Sequence, residues 1–140
     1  MKVKSVNQQD FGPLENLKFS ISDIDDIQDD ELLINVYCCG ISFADILAAE
    51  GKYQDTPPLP FTPGLEISGV ILDIGSKVKN FRIGDEVIAL SKWGGFADKV
   101  IINENFVVSK LKKMPFTPKG YILYYAFFWF VIISIYLAYY

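Results

Sequence analysis

Glycines set within and beside short apolar runs are the feature that most constrains this fold. In "PGLEISGVILDIGSKV", residues 63–78, glycines stand at 64, 69 and 75, and another follows at 84. A glycine inside a strand pattern marks a bulge, a sharp bend or the close approach of another backbone. A small barrel needs such bends in order to close. We therefore expect Gly69, Gly75 and Gly84 to lie where a partly open barrel turns.

The chain before residue 114 reads mostly as short β-strands. Residues 31–39 alternate apolar and more polar side chains, which is typical of a half-buried strand. Residues 67–74 are apolar on both faces and predict a buried strand. The remaining strands are predicted over 2–6, 17–22, 86–90 and 96–102. Several short strands with turns about ten residues apart favour a barrel or a sandwich.

One short helix is predicted in "SFADILAAEGKY", residues 42–53. Ser42 can cap its N-terminus, and Asp45 follows three residues later, as in a capping box. Gly51 can close the helix, because glycine adopts the left-handed conformation that often follows a last turn. The acidic run "DIDDIQDDE" before it, residues 23–31, is expected to form a solvated loop.

Composition excludes several classes of function. The chain has no histidine, and this removes Ser-His-Asp and Cys-His nucleophiles and the commonest zinc ligand. A net charge of −4 gives no basic surface, so we expect no nucleic-acid partner. The two cysteines, Cys38 and Cys39, are adjacent, so on a strand they point to opposite faces and are poorly placed to bridge each other. We expect both to be reduced residues of a strand.

The last twenty residues differ from the rest. Residues 121–140 carry no charge, glycine or proline, and they hold ten of the 21 aromatic side chains. As a helix they would extend about 30 Å, enough to cross a bilayer core. Lysines at 110, 112, 113 and 119 precede them and would leave the preceding domain in the cytosol. We therefore expect a domain over 1–114, a linker over 115–120 and a C-terminal hydrophobic helix that contacts a membrane.

A second interpretation of this tail stays open. It can be the product of a truncation, through a retained intron, a frameshift or a gene model that stops early. The N-terminus lacks the apolar stretch of a secretory signal, so we expect an intracellular protein, cytoplasmic or mitochondrial, that is membrane-associated if the tail is genuine.

Several segments in the same order resemble the medium-chain dehydrogenase/reductase superfamily. "GLEISGVILDIGSKV" is similar to its G-H-E-x-x-G-x-x-x-x-x-G-x-x-V signature, with Leu65 in place of the histidine. "IGDEV" and "GGFADKV" resemble its G-D-x-V turn and its G-G-aromatic-A-x-x-V segment. "CGISFADILAAEGKYQDTPPLPFTPG" is similar to the matching block of the zinc-free quinone oxidoreductase branch. The resemblance covers residues 1–114 and implies a mainly β, GroES-like, partly open β-barrel with a short helix.

The resemblance also implies a site without metal. Zinc-dependent members hold the catalytic zinc partly through a cysteine and the histidine of G-H-E, and Ser42 and Leu65 stand at those positions here. A hydroxyl and an isobutyl group are not substitutes for thiolate and imidazole as zinc ligands. We therefore expect no zinc.

In the zinc-free branch, hydride passes from NADPH to a quinone or an enone. By position, the resemblance places Ser42, Asp45 and Tyr53 beside the cofactor, with Asp45 and Tyr53 as catalytic residues. Ser42 departs from the asparagine of the family pattern, and the capping of the helix by itself explains both Ser42 and Asp45.

The family's cofactor is held mainly by a Rossmann domain, whose glycine-rich turn does not occur in this sequence. Two hypotheses follow: the substrate-side domain of an NADPH-dependent quinone oxidoreductase, or a non-catalytic, membrane-tethered barrel that acts by binding. A homodimer is a further expectation.

Overall fold

The computed structural model describes residues 1–111, which form seven strands and one α-helix. The helix, α1, covers Phe43–Ala49. Single turns of 3₁₀ helix cover Leu14–Asn16 and Glu104–Phe106. The strands are β1 (Lys2–Gln8), β2 (Leu17–Asp23), β3 (Glu31–Gly40), β4 (Glu66–Ile74), β5 (Glu86–Leu90), β6 (Lys99–Asn103) and β7 (Val107–Ser109).

The strands form two antiparallel sheets. β1 and β2 make a two-stranded hairpin, and the other five strands lie in the order β6-β3-β4-β5-β7. Isolated bridges from Ser5 to Ala97 and from Gln8 to Phe61 join the hairpin to the rest of the domain. The mainly β architecture with one short helix, predicted from the sequence, is confirmed.

The core lies on the five-stranded sheet. Its members come from β3, β4, β5, β6 and β7 and, at Phe81, from the loop before β5. Leu32, Ile34, Ile67 and Val87 are fully buried. β4 is the middle strand and supplies both Ile67 and Ile71 to the core from one face. Its apolar run predicted burial on both faces, but Leu72 on the other face is 40% exposed.

Gly69 shows why this strand needs glycine. It pairs with Val36 where the register between β3 and β4 shifts, so the two backbones approach closely. A Cβ at this position would fall on the carbonyl oxygen of Asn35. The expectation that glycine marks a bend of the sheet is confirmed here.

Two strands differ from the sequence-based expectation. The strand predicted over 96–102 begins at Lys99, because the residues before it bond to the hairpin: the Val6 amide donates to the Phe96 carbonyl, and the Asp98 amide to the Lys4 carbonyl. β7 was not predicted, since its three residues are too few to show a period.

The expected hydrophobic helix over 121–140 and the linker over 115–120 lie outside the described residues. Within residues 1–111, no helix is long and apolar enough to cross a membrane.

Candidate functional site

The first element of the site is the N-terminus of α1. The Asp45 amide donates to Ser42 Oγ at 3.4 Å, and the Ser42 amide donates to Asp45 Oδ2 at 2.7 Å. Ser42 Oγ also donates to Asp45 Oδ2 at 2.9 Å. The capping box expected from the spacing of these two residues is therefore confirmed.

The Asp45 carboxylate also fixes the turn that precedes β4. Its Oδ1 accepts a hydrogen bond from the Gly64 amide at 2.9 Å. Asp45 is only 4% exposed, so its charge is held by two amides and a hydroxyl rather than by water. Such a buried carboxylate is tolerated because each oxygen has a donor. The side chain ties α1 to the turn across 19 positions of sequence.

That turn is itself locked to the segment 91–96. The Gly64 carbonyl accepts from Ser91 Oγ at 2.8 Å and from the Gly95 amide at 2.9 Å. Gly64 has φ +101°, and a Cβ on it would lie 2.6 Å from the Phe96 amide nitrogen. Only glycine satisfies both the positive φ and this close approach. We call the contact of α1, Gly64 and residues 91–96 the junction.

Beside the junction lies a cleft of about 470 Å³, within the usual size of small-molecule sites. Most of its walls are apolar. They come from the loop after α1, the residue before β4, the end of β5 with the loop that follows, β6 and the 3₁₀ turn after β6. The described lining residues are Tyr53, Asp55, Leu65, Leu90, Ser91, Lys92, Trp93, Ile101, Ile102, Asn103 and Phe106.

An aromatic group forms one wall of the cleft. The Tyr53 and Trp93 rings meet edge to face, with centroids 6.0 Å apart and planes at 86°. Phe61 packs behind Trp93 at 5.4 Å and 68°. These arrangements are favoured by the ring quadrupoles and limit the freedom of each side chain. The Nε1 of Trp93 is buried and has no hydrogen-bond partner among the described residues.

The structure separates the predicted site residues into two groups. Tyr53 lines the cleft, together with Leu65, which replaces the histidine of the family signature. Ser42 and Asp45 are not among the described lining residues, and their printed hydrogen bonds run to each other and to Gly64. Whether Ser42, Asp45 and Tyr53 act on a cofactor stays a prediction.

The sequence does not assign Trp93, since a tryptophan beside a "GGF" turn can line a cleft or fill a barrel end, and it gives no signal for Ser91. Both lie in the segment 91–96, whose backbone is hydrogen-bonded to residues 62–65, far away in sequence. The motif "GGF" beside Trp93 was the one available signal.

The donor set at this place does not suit zinc. Ser42 and Leu65 offer no thiolate or imidazole, and within the described part of the chain no group of three His, Cys, Asp or Glu side chains could hold a metal ion. The nearest thiol, Cys39, packs where a Cβ on Gly95 would stand. Burial, followed by the charge of Asp45, raises the pKa of Cys39 to about 12, so this thiol stays protonated.

Comparison with known proteins identifies the domain. Residues 28–113 match the model of the alcohol dehydrogenase GroES-like domain. Quinone oxidoreductase-like protein 2 of Mus musculus is 46% identical over 74 residues, which are 53% of this chain and 21% of that protein. The chain thus aligns with about a fifth of the length of this relative.

Solved structures show the same fold. The human synaptic vesicle membrane protein VAT-1 homolog-like protein superposes with a TM-score of 0.80 at 33% identity, over 83% of this chain and 38% of that one. Escherichia coli quinone oxidoreductase, solved in complex with NADPH, superposes with a TM-score of 0.77 at 24% identity, over 81% and 35% of the two chains. The resemblance inferred from the motifs is confirmed: this chain belongs to the alcohol dehydrogenase GroES-like domain family within the medium-chain dehydrogenase/reductase superfamily.

Proposed function

We propose that this domain is the substrate-side part of an NADPH-dependent oxidoreductase that reduces quinones or related enones. The observation that carries the proposal is the apolar cleft walled by Tyr53, Leu65 and Trp93, in a chain related to quinone oxidoreductase-like protein 2. A flat ring with carbonyl oxygens suits a cleft that has aromatic walls and few polar groups.

The residues of the cleft have separate roles in this proposal. Leu65 and Trp93 exclude water from the face of the bound ring, which strengthens the electrostatic interactions there. The Tyr53 hydroxyl donates a hydrogen bond to the carbonyl oxygen, which gains negative charge as the ring is reduced. Packing against Trp93 fixes the Tyr53 ring, so little side-chain entropy is lost when the substrate binds.

The described residues fit the reacting end of NADPH better than its phosphates. The apolar wall can contact a nicotinamide ring, which supplies the hydride when the cofactor is bound. Lys92 is the only basic side chain among the described residues that line the cleft. The groups that hold the phosphates therefore belong to a Rossmann domain, as the resemblance implies, and residues 1–111 alone should bind NADPH weakly.

Tryptophan fluorescence provides the binding test. The full chain, kept in dodecyl maltoside because of its apolar C-terminal segment, carries Trp129→Phe so that Trp93 is the only tryptophan. Titration with 1,4-naphthoquinone should quench Trp93 in a saturable way. Tyr53→Ala should weaken the binding about tenfold, because it removes a wall and a hydrogen-bond donor. The matched control Tyr37→Ala, which changes a tyrosine outside the described lining of the cleft, should not weaken it.

Turnover separates the enzyme from the binding module. Oxidation of NADPH that requires the quinone, followed by absorbance, would support the oxidoreductase. Saturable binding without NADPH oxidation would favour the non-catalytic alternative only if joining the domain to the Rossmann domain of a related oxidoreductase also gives no oxidation. Quenching that is linear in quinone and equal in Tyr53→Ala would show that the cleft is not the site.

A further inference from the structure

The cleft beside the junction has two chemically different ends. At one end, the Tyr53 and Trp93 rings meet edge to face, and both line the cleft. Asp55, which follows Tyr53 by two residues, belongs to the same lining, and so does Lys92, which directly precedes Trp93. A hydroxyl, an indole nitrogen, a carboxylate and an ammonium group therefore lie together. We call these four residues the polar end.

The other end is built where β5 meets the turn before β7. Val107, the first residue of β7, pairs with Ala89, so Phe106 lies beside Leu90. Ile101 of β6 adds a third apolar side chain to the described lining. Leu90 is 37% exposed and Phe106 is 61% exposed, so apolar surface faces water here. We call Leu90, Ile101 and Phe106 the apolar end.

Two further polar side chains of the described lining are already engaged within the protein. Ser91 Oγ donates to the Gly64 carbonyl at 2.8 Å. Asn103 Oδ1 accepts from the Asn105 amide at 3.0 Å, and Asn103 Nδ2 donates to Asp30 Oδ2 at 2.6 Å. A side chain whose donors and acceptors are used in this way offers little to a ligand. The cleft is therefore polar at one end only.

We propose that the ligand of this cleft is amphipathic: a quinone or enone ring that carries one unbranched apolar chain. The inference rests on the proposed function, in which the Tyr53 hydroxyl receives the ring carbonyl and so fixes the position of the ring. The chain then runs along the cleft over Leu90 to Phe106. It covers apolar side chains that otherwise face water, which is favourable in proportion to the area removed from water.

The size of the cleft favours a ring with a chain over a bare ring. A cleft of about 470 Å³ lies in the range that buries drug-sized ligands, and a bicyclic quinone is smaller than these. Leu90 and Trp93 are three residues apart, so their Cα atoms are separated by at most about 11 Å. This length is comparable to that of an octyl chain. A charged substituent would lose hydration at the apolar end without gaining a partner.

A pair of ligands that share one ring tests the chain. Trp93 fluorescence, in the full chain with Trp129→Phe and in dodecyl maltoside, gives the dissociation constants of 2-methyl- and 2-octyl-1,4-naphthoquinone. Detergent micelles take up the octyl compound more than the methyl compound. The quantity compared is therefore the ratio of the two dissociation constants, measured for each variant at one detergent concentration, so that uptake by micelles cancels between variants.

Phe106→Ser should reduce the preference for the octyl over the methyl compound about fivefold or more, because it removes aromatic surface that the chain covers. The matched control is Ile83→Ser, which changes a side chain of similar exposure, 62%, outside the described lining of the cleft. It should leave the preference unchanged. Tyr53→Ala should weaken the binding of both compounds by similar factors, since both place the same ring at the polar end.

Two results would overturn the inference, and they differ in what they say about the proposed function. If both compounds bind in a way that depends on Tyr53, but Phe106→Ser keeps the preference of the wild type, the proposed function stands and no chain lies at the apolar end. If the binding of neither compound depends on Tyr53, the proposed function fails and the inference fails with it.

Discussion

The junction and the cleft adjoin each other, yet they hold their polar groups in opposite ways. At the junction, Asp45 is 4% exposed, and its oxygens accept from the Ser42 and Gly64 amides and from a hydroxyl. In the cleft, Tyr53 is half-buried, and its ring rests edge-on against Trp93. Family resemblance assigns both residues to catalysis, but their surroundings differ.

This difference shows that one sequence motif can contain both a residue that fixes the local structure and a residue that contacts a ligand. A carboxylate that already accepts from buried amides has little capacity left to bind a substrate, and moving it would break the junction. The hydroxyl of a half-buried tyrosine beside an apolar cleft can reach a ligand without breaking the hydrogen bonds of the junction. We therefore infer that Asp45 positions the cleft, whereas Tyr53 contacts what binds there.

The largest expected effect comes from breaking the junction at its backbone. Gly64→Ala should lower the free energy of unfolding by about 3 kcal/mol or more, because its Cβ would press on the Gly95–Phe96 backbone at a positive φ. Urea unfolding followed by circular dichroism measures this. Gly84→Ala is the matched control, since Gly84 has φ +92° but open space around it. Gly84→Ala should lower the free energy of unfolding by only about 1 kcal/mol. Equal losses in the two variants would show that the close approach of Gly64 to the Gly95–Phe96 backbone is unimportant.

Removing the charge of the Asp45 carboxylate should lower the free energy of unfolding by less than Gly64→Ala does. Asp45→Asn keeps the shape of the side chain but weakens its acceptance from two amides, so the free energy of unfolding should fall by about 2 kcal/mol. Ser42→Ala, which removes only the cap hydroxyl, should cost about 1 kcal/mol. A stability unchanged in Asp45→Asn would contradict a positioning role.

The thiol of Cys39, a residue of β3 that packs against Gly95 of the junction, leads us to expect a loss of stability in alkali. Burial and Asp45 raise the pKa of Cys39 from 9.0 to about 12, so between these values the folded protein keeps a proton that the unfolded chain has lost. Stability from this group is complete below pH 9 and falls as the pH rises toward 12. The difference between wild type and Cys39→Ala should therefore shrink over this window. A difference independent of pH would show that the thiol titrates alike in both states.

The smallest effect on stability is expected in the cleft. Tyr53→Phe keeps the ring contact with Trp93 and removes only the hydroxyl of a half-buried side chain. The free energy of unfolding should change by less than about 0.5 kcal/mol, while quinone reduction slows about tenfold or more through the lost hydrogen bond. Equal rates in Tyr53→Phe and wild type would remove the hydroxyl from the mechanism.

The sequence predicted the parts of this site that depend on local spacing. The capping box follows from a serine and an aspartate three residues apart, and the buried strand β4 follows from its continuous apolar run. The partners of Gly64 and of Tyr53 lie 27 to 40 positions away, at Ser91 and Trp93. No local pattern specifies those contacts, because they depend on how the loops meet after the sheet has formed.

The family motifs identified the region of the candidate site, but they did not distinguish residues that hold its structure from residues that line the cleft. They placed Ser42, Asp45 and Tyr53 together, but burial and hydrogen bonding, which differ between Asp45 and Tyr53, are properties of the folded chain. Trp93 could be assigned to the wall of the cleft only from its contacts with Tyr53 and Phe61.

The most direct test of the central claim measures stability and quinone affinity on the same samples of Asp45→Asn and Tyr53→Ala, with Trp93 as the only tryptophan. The account predicts that Asp45→Asn unfolds at lower urea but, while folded, binds 1,4-naphthoquinone within about twofold of wild type. It predicts that Tyr53→Ala loses about tenfold in affinity, a larger change than any loss of stability would explain. The opposite pattern, with affinity lost in folded Asp45→Asn and kept in Tyr53→Ala, would contradict it.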